Sequence, residues 1–271
     1  MIWFLGDVHG HFEHIAQAVD AAPKKPKAVI LLGDVEAPIP LYECMRDVES
    51  RDIAWHWIIG NHDTDSRENF ANISDATSMT HNIDGRVIEI GGMRLAGLGG
   101  VFRGEVWFPR DGETASFSSY ADFSRSSQMY RQLKTRLSKR DIAQAQAVPP
   151  ESRHWQAQLL ELSRAGGLLK HRSTIFPDVY RRLMSQRADI LVTHEAPGAH
   201  PHGFEVIDHL ARTMGVKWLF HGHHHDSCDY SRQFDRLGFA AYGVGLRGIT
   251  DLDGRIVWSG AHWTRRKYFE S

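Results

Sequence analysis

Five short segments spread over most of the 271-residue chain carry closely spaced Asp, Asn and His residues. They are Gly6–Gly10, Gly33–Asp34, Gly60–Asp63, Thr193–Glu195 and Gly222–His225. Side chains of these types bind divalent metal ions, and two ions side by side can activate a water molecule and clamp a phosphoryl group. That chemistry would hydrolyse a phosphate ester. We predict seven metal ligands: Asp7, His9, Asp34, Asn61, His194, His223 and His225.

The residue types within these motifs suggest different roles. Asp7 and His9 are separated by one residue, so both side chains can turn to the same side at the end of a strand. The two oxygens of Asp34 can bridge two cations, and the amide oxygen of Asn61 can complete a metal shell without adding charge. His62 would lie near the bound ester without being a ligand, where an imidazole can protonate a leaving alkoxide or stabilise charge on the phosphoryl oxygens.

Apolar runs precede the motifs and predict the elements that position them. Such runs are typical of the strands of a buried sheet, and the segments between them, such as 11–21 and 40–51, have helical spacing. Ligands of open α/β sheets bind at the carboxyl ends of the strands, so five loops there can point into one crevice. The predicted strands are residues 2–5, 28–32, 54–59, 189–193 and 217–220.

Two further groups of strands are predicted. Residues 86–90 and 93–98 suggest a hairpin around two glycines, and the C-terminal runs 239–244, 246–250 and 255–258 include an Asp-Gly hairpin turn. We therefore predict an α/β fold in which a two-sheet β-sandwich is flanked by helices. The whole chain, residues 1–271, is expected to form a single domain.

Residues 110–186 are predicted to be an insertion that forms a helical cap. They lack strand-like runs and show helical spacing of apolar residues in several places. The segment contains 13 Lys and Arg against 7 Asp and Glu, an excess of 13 − 7 = 6 positive charges. Two interpretations stay open, a solvated helical face and an electropositive lid over an anionic substrate.

The overall composition is that of a soluble globular protein. Charged residues make up 24% and the net charge is −1, which indicates no general attraction to nucleic acid or membranes. Cys44 and Cys228 have no CxxC spacing and do not suggest a disulfide framework or a thiolate zinc site. The short apolar run 2–5 leads directly into the first motif, and no membrane-length run follows. We expect a cytoplasmic protein.

The ordered motifs D-x-H, G-D, G-N-H-[DE], H and G-H-x-H, which span residues 6–225, resemble those of the calcineurin-like metallophosphoesterase superfamily. The resemblance implies the sandwich fold and metals such as manganese, iron or zinc. It also implies hydrolysis by attack of a metal-bridging hydroxide on phosphorus, with His62 as the acid or the transition-state contact. One metal would be bound by Asp7, His9, Asp34 and His225, and the other by Asp34, Asn61, His194 and His223.

The second motif narrows the substrate class. Protein serine/threonine phosphatases of the superfamily extend it to Gly-Asp-x-x-Asp-Arg-Gly, whereas Gly33–Ile39 here lacks the second aspartate and the arginine. This weakens the protein phosphatase and diadenosine tetraphosphatase alternatives. We favour a phosphodiesterase or phosphomonoesterase that acts on a small or nucleotide-like substrate.

Two other classes stay open. A nuclease would use the basic cap to bind DNA or RNA, although the near-neutral net charge speaks against it. A non-catalytic scaffold would tolerate lost ligands, and none of the seven is lost. The sequence does not indicate an oligomeric state.

Four residues outside the motifs are candidate substrate contacts. Arg103 lies just beyond a predicted strand, where a guanidinium could bind phosphate, and Arg110 lies at the entrance of the predicted cap, where it could pair with a nucleotide. His200 and His202 lie in a loop rich in Pro and Gly after His194. For each of the four, an ordinary structural role or surface position is the alternative.

Overall fold

The computed structural model of the chain describes residues 1–110, 114–136 and 168–261. Within these ranges, eleven strands form two sheets. The strands are β1 (Ile2–Leu5), β2 (Ala28–Leu31), β3 (Ala54–Trp57), β4 (Val87–Ile90), β5 (Met93–Leu98), β6 (Ile190–Thr193), β7 (Trp218–His221), β8 (Cys228–Asp229), β9 (Ala240–Gly243), β10 (Ile249–Asp251) and β11 (Ile256–Trp258). The helices are α1 (Glu13–Ala21), α2 (Leu41–Cys44), α3 (Arg46–Glu49), α4 (Arg67–Ile73), α5 (Ala76–Thr80), α6 (Tyr120–Arg136), α7 (Pro177–Met184), α8 (Glu205–Met214) and α9 (Phe234–Leu237).

Both sheets contain parallel strands, and antiparallel strands are added at both edges of the six-stranded sheet and at one edge of the five-stranded sheet. The five-stranded sheet has the order β11-β10-β1-β2-β3, and the six-stranded sheet has the order β4-β5-β6-β7-β9-β8. Strands β1, β2 and β3 run parallel to one another, and so do β5, β6, β7 and β9. Because parallel strands end at the same edge of a sheet, the loops after them lie side by side.

Apolar side chains on the inner faces hold the two sheets together. Phe4 of the first sheet stacks on Phe220 of the second, with ring centroids 3.6 Å apart. Ile30, Leu95 and Val192 belong to the same buried cluster. The central strands read as continuous apolar runs because both of their faces are covered.

Helices cover the outer faces. Residues of α1 and α3, including Ile15 and Val48, pack with Trp55 against the first sheet. Helices α7 and α8 contact each other and place Leu183 and Leu210 in the cluster behind the second sheet. The predicted two-sheet β-sandwich flanked by helices is therefore confirmed.

One predicted helical segment differs in detail from the structure. The segment 40–51 forms two short helices, α2 and α3, instead of one continuous helix. The break lies at Met45, whose φ of −91° and ψ of 0° depart from helical values. The Met45 side chain is fully buried in the core, so tertiary packing accompanies the local break.

The predicted insertion falls only partly within the described residues. Helix α6 lies within this segment, whereas residues 111–113 and 137–167 are outside the described ranges. Helix α7, at the end of the predicted insertion, packs on the sandwich as part of its outer layer. The boundaries 110–186 and the single-domain arrangement stay predictions. None of the helices in the described ranges is long and apolar enough to cross a membrane.

Candidate metal centre

The five motifs lie in loops that follow parallel strands of both sheets. The first three follow β1, β2 and β3 of the five-stranded sheet, and the last two follow β6 and β7 of the six-stranded sheet. Backbone hydrogen bonds tie neighbouring loops together: His9 N donates to Asp34 O over 3.0 Å, and Gly10 N donates to Val35 O over 2.9 Å. The sheet edges therefore bring together residues from motifs that span positions 6–225 of the sequence.

Donor atoms of the predicted ligands form two groups that share Asp34. One group comprises His9, Asp34 and His225, and the other comprises Asp34, His194 and His223. Within each group the ligand atoms lie within 4.8 Å of one another. His9 Nε2 is 3.2 Å from His225 Nε2, so these two ring nitrogens are close enough to bind one metal ion.

Asn61 and Asp7 complete the arrangement. Asn61 Oδ1 lies 3.1 Å from His194 Nε2, and Asp34 Oδ2 lies 3.4 Å from the same nitrogen. Asp7 Oδ1 accepts a hydrogen bond from His223 N over 3.1 Å and lies 3.7 Å from His194 Nδ1. The structure thus brings all seven predicted ligands together.

The hydrogen bonds of the site fit a bound cation. His194 Nδ1 donates to Leu32 O over 2.8 Å, so in the neutral ring Nε2 presents a lone pair to Asn61 and Asp34. Asp7 Oδ2 and Asp34 Oδ2 are buried and have no hydrogen-bond partner among the described residues. Buried acceptors without a donor are unfavourable unless a positive charge lies beside them. The donor set of oxygen and nitrogen atoms suits a divalent metal ion.

Burial and mutual charge shift the pKa values of these groups in opposite directions. Burial raises the pKa of Asp7 to about 7 despite the opposing charge of His194. Burial also disfavours the charged forms of Asp34 and His194, but attraction between the two lowers the pKa of Asp34 and raises that of His194 to about 10. The His194 ring therefore holds a proton on Nε2 that a bound metal ion would replace. Burial lowers the pKa of His223 to about 3, which leaves its ring neutral and able to bind a metal.

The backbone at the site is strained. Asp7, His9, Asp34, His223 and His225 have φ values of 28°, 42°, 47°, 72° and 59°. Non-glycine residues rarely adopt positive φ, and each such residue costs on the order of 1–3 kcal/mol. Five of the seven predicted ligands therefore lie in turns that the rest of the fold must stabilise. Such strain commonly occurs at functional sites.

His62 lies beside the shared carboxylate. Its backbone N donates to Asp34 Oδ1 over 2.8 Å, while its ring Nδ1 is 2.6 Å from Asp65 Oδ2. Burial lowers the pKa of His62, but the hydrogen bond to Asp65 and the charge of Asp34 outweigh it, so the pKa lies above its ordinary value. The side chain is 45% exposed, which keeps it accessible to a substrate.

Arg103 is largely buried and is anchored near the third motif. Its Nη2 donates to Ser173 Oγ over 3.0 Å, and Ser173 Oγ is 2.7 Å from Thr64 Oγ1. Burial lowers the pKa of Arg103, although Glu105 and other acidic groups oppose this shift. Arg103 is therefore only partly exposed, and its role as a substrate contact stays a prediction.

The other three candidate substrate contacts lie near one another. Arg110 is exposed, donates to His202 O over 3.1 Å, and stacks 4.9 Å from the centroid of the Phe204 ring. His200 is buried and stacks on His224, with ring centroids 4.0 Å apart. His200 thus adjoins the last motif, whereas Arg110 and His202 lie at the surface.

Sequence reasoning missed three carboxylates that support the site. Asp63 accepts hydrogen bonds of 2.8 Å from both Glu36 N and Gly60 N, and so joins the loops after β2 and β3. Glu36 accepts a hydrogen bond from His9 Nδ1. Buried Glu195 accepts from Phe102 N over 3.0 Å. Their only signal in the sequence was their position close to predicted ligands.

Comparisons with known proteins identify the family. A model of the calcineurin-like phosphoesterases matches residues 1–227. An uncharacterised protein of Haemophilus influenzae is 34% identical over 258 residues, which cover 95% of this chain and 96% of the relative. The crystal structure of TT1561 of Thermus thermophilus is 14% identical, covers 94% of this chain and 96% of its own, and has a TM-score of 0.48. The chain belongs to the calcineurin-like phosphoesterase family and is a metal-dependent hydrolase of phosphate esters.

Proposed function

We propose that the chain is a dinuclear metal-dependent hydrolase of phosphodiesters or phosphomonoesters of small or nucleotide-like molecules. The observation that carries this proposal is the position of Asp34, which belongs to both groups of donor atoms. A carboxylate has two oxygens and can bind one cation with each. Further support comes from the buried Oδ2 atoms of Asp7 and Asp34, which have no hydrogen-bond partner among the described residues.

Each metal has its own set of proposed ligands. The first is bound by Asp7, His9, Asp34 and His225, and the second by Asp34, Asn61, His194 and His223. Mixed nitrogen and oxygen donors without a thiolate suit manganese, iron or zinc. When bound, the two ions supply activation of a water molecule and neutralisation of charge on the phosphoryl oxygens.

His62 is proposed to assist the leaving group. Asp65 holds Nδ1 of the ring, which leaves Nε2 for the ester oxygen. The raised pKa of His62 favours the protonated form of the ring. A positioned acid of this kind contributes roughly 10²–10⁴-fold to the rate.

Four further side chains are proposed to bind or surround the substrate. Arg103 has a buried Nε with no hydrogen-bond partner among the described residues, and its guanidinium can contact a phosphate oxygen. His200 and His202 lie near His224 of the last motif, and Arg110 donates to His202 O. These contacts would select the substrate, whereas the metal ligands would be common to the family.

The first test measures metal content and turnover together. Protein stripped with a chelator is supplied with manganese, zinc or iron, and hydrolysis of p-nitrophenyl phosphate and bis-p-nitrophenyl phosphate is followed. We expect two metal ions per chain and turnover that depends on them. The ratio of the two rates distinguishes a monoesterase from a diesterase. Full activity in the stripped protein would contradict the proposal.

Variants separate the proposed roles. Asp34→Asn should lose metal and activity together, because one carboxylate serves both sites. His62→Ala should retain both metals and lose roughly 10²–10⁴-fold in turnover. His209→Ala, on the exposed face of α8, is the matched control and should behave as the wild type. Loss of metal from His62→Ala would show that His62 is a ligand instead.

A further inference from the structure

The Glu36 side chain contacts a proposed ligand that belongs to a different loop. Its Oε2 accepts a hydrogen bond from Nδ1 of His9. His9 Nε2, on the other side of the ring, lies 3.2 Å from His225 Nε2. Because a neutral imidazole carries one proton, a proton held on Nδ1 by a carboxylate leaves the lone pair on Nε2. The ring then presents a metal-binding atom toward His225.

The surrounding residues hold Glu36 in this position. Its backbone N donates to Asp63 Oδ1 over 2.8 Å, and its second carboxylate oxygen accepts from Asn69 Nδ2 over 3.3 Å. The backbone of Glu36 has a φ of 43°, which is unfavourable for a non-glycine residue. Hydrogen bonds at the backbone N and at both side-chain oxygens therefore hold Glu36 in this unfavourable backbone conformation.

Asp65 provides a useful comparison because it makes the same kind of contact with a different histidine. Asp65 Oδ2 lies 2.6 Å from Nδ1 of His62, and His62 is proposed as an acid rather than a ligand. Glu36 thus contacts Nδ1 of a proposed metal ligand, whereas Asp65 contacts Nδ1 of a histidine that lies beside the proposed metals. The consequences of removing them should differ accordingly.

We propose that Glu36 is a positioning residue that fixes the tautomer and the orientation of the His9 ring for the first metal. This inference rests on the proposed dinuclear function. Carboxylates that accept the second N–H of a metal-binding histidine raise its basicity and hold the ring in place, and their removal typically costs about 10–100-fold in metal affinity. Glu36 contributes to metal binding through His9 without binding the ion itself.

Calorimetric titration of chelator-stripped protein with Mn²⁺ tests this inference. Wild-type protein should bind two ions. Glu36→Ala should bind one of them about 10–100-fold more weakly and leave the other step unchanged, and Glu36→Gln should fall between it and the wild type. Asp65→Asn is the matched control and should retain both affinities while its turnover falls.

The tautomer of His9 provides a readout that is independent of metal and activity. Long-range ¹H–¹⁵N correlation spectra of the stripped protein, assigned with His9→Gln, should show the proton of His9 on Nδ1. In Glu36→Ala the proton should redistribute between the two nitrogens. This change is not expected of a residue that merely supports the loop.

The possible outcomes are distinguishable. A wild-type protein that binds no Mn²⁺ would refute the dinuclear function, whereas two normal binding steps in Glu36→Ala would refute only the role of Glu36. Loss of both steps together, or loss of folding by circular dichroism in both Glu36 variants, would also overturn it, because Glu36 would then support the whole site. If Asp65→Asn lost as much Mn²⁺ affinity as Glu36→Ala, the effect of Glu36 would not act specifically through His9.

Discussion

Gly33 should be intolerant of even one added carbon, because its backbone passes directly beneath a proposed ligand. It precedes Asp34 and has a φ of +98°. A Cβ atom built at this position would lie 2.4 Å from His194 Nδ1 and 2.8 Å from Gly60 Cα. Normal contact between such atoms is about 3.5 Å. Gly33→Ala must therefore move the buried His194 ring, the β3 loop or both by about 1 Å.

Gly92 in the β4–β5 turn provides the matched control. Its φ is +83°, and nothing lies within 4 Å of an added Cβ. Gly92→Ala thus measures the backbone strain alone, about 1–3 kcal/mol, partly offset by about 0.4–1 kcal/mol of lost freedom in the unfolded chain. A net loss of about 0–2.6 kcal/mol in unfolding free energy is expected.

Gly33→Ala should lose more because of the displaced ring. The hydrogen bond from His194 Nδ1 to Leu32 O would be broken, and an unsatisfied buried partner costs about 1–3 kcal/mol. With the backbone contact to Gly60 included, we expect Gly33→Ala to be about 2–4 kcal/mol less stable than Gly92→Ala. The same shift removes His194 Nε2 from its place beside Asn61, so the second metal should bind more weakly.

Urea unfolding of the stripped proteins, followed by circular dichroism, measures the stability difference without a metal contribution. Mn²⁺ titration of the folded variants measures the effect on the site. If Gly33→Ala and Gly92→Ala lost equal stability and bound Mn²⁺ equally well, the predicted clash between the added Cβ atom and His194 would be refuted.

Three further predictions concern the whole fold. Phe220→Ala removes the ring that stacks on Phe4 between the sheets and should lower the unfolding free energy by about 3–5 kcal/mol. Phe234 is half-exposed, so the control Phe234→Ala should change the unfolding free energy by about 0.5 kcal/mol or less. Burial lowers the pKa of His14 and His56, so below pH 6.5 the unfolded chain binds more protons than the folded chain and the unfolding free energy should fall. Replacing both histidines with Gln should flatten this dependence of stability on pH between pH 7 and 5. An unchanged slope would show that these two histidines do not cause it. Mn²⁺ at 100 times its dissociation constant should add about 2.7 kcal/mol per independent site, and a thermal midpoint that does not respond to metal or chelator would count against binding to the native state.

Much of the fold follows from local patterns. The apolar runs before the motifs predict β1, β2, β3, β6 and β7 within a few residues, because strands covered on both faces need continuous apolar sequence. The turn residues at Gly91 and Gly254 predict both antiparallel hairpins. The prediction of one helix over 40–51 was less accurate, since its spacing could not reveal the break at Met45.

The supporting residues of the site were harder to predict. Glu36 and Asp63 act on loops other than their own: Glu36 binds His9, and Asp63 holds Gly60 N together with the Glu36 backbone. Hydrogen bonds of this kind depend on the distance between loops, which residue spacing does not encode. The hydrogen bond that holds the partly buried Arg103 likewise comes from Ser173, in a distant part of the chain.

The sequence by itself determined the set of donor groups and their order along the chain, because the binding chemistry of Asp, Asn and His is intrinsic to the side chains. It also determined that each group follows a buried strand. The tertiary structure decided which ring nitrogens of His9 and His194 face the site and which groups hold those rings. These properties arise from the joining of two sheet edges and from strained turns at Asp7, His9 and Asp34, where only the rest of the fold can compensate the local cost.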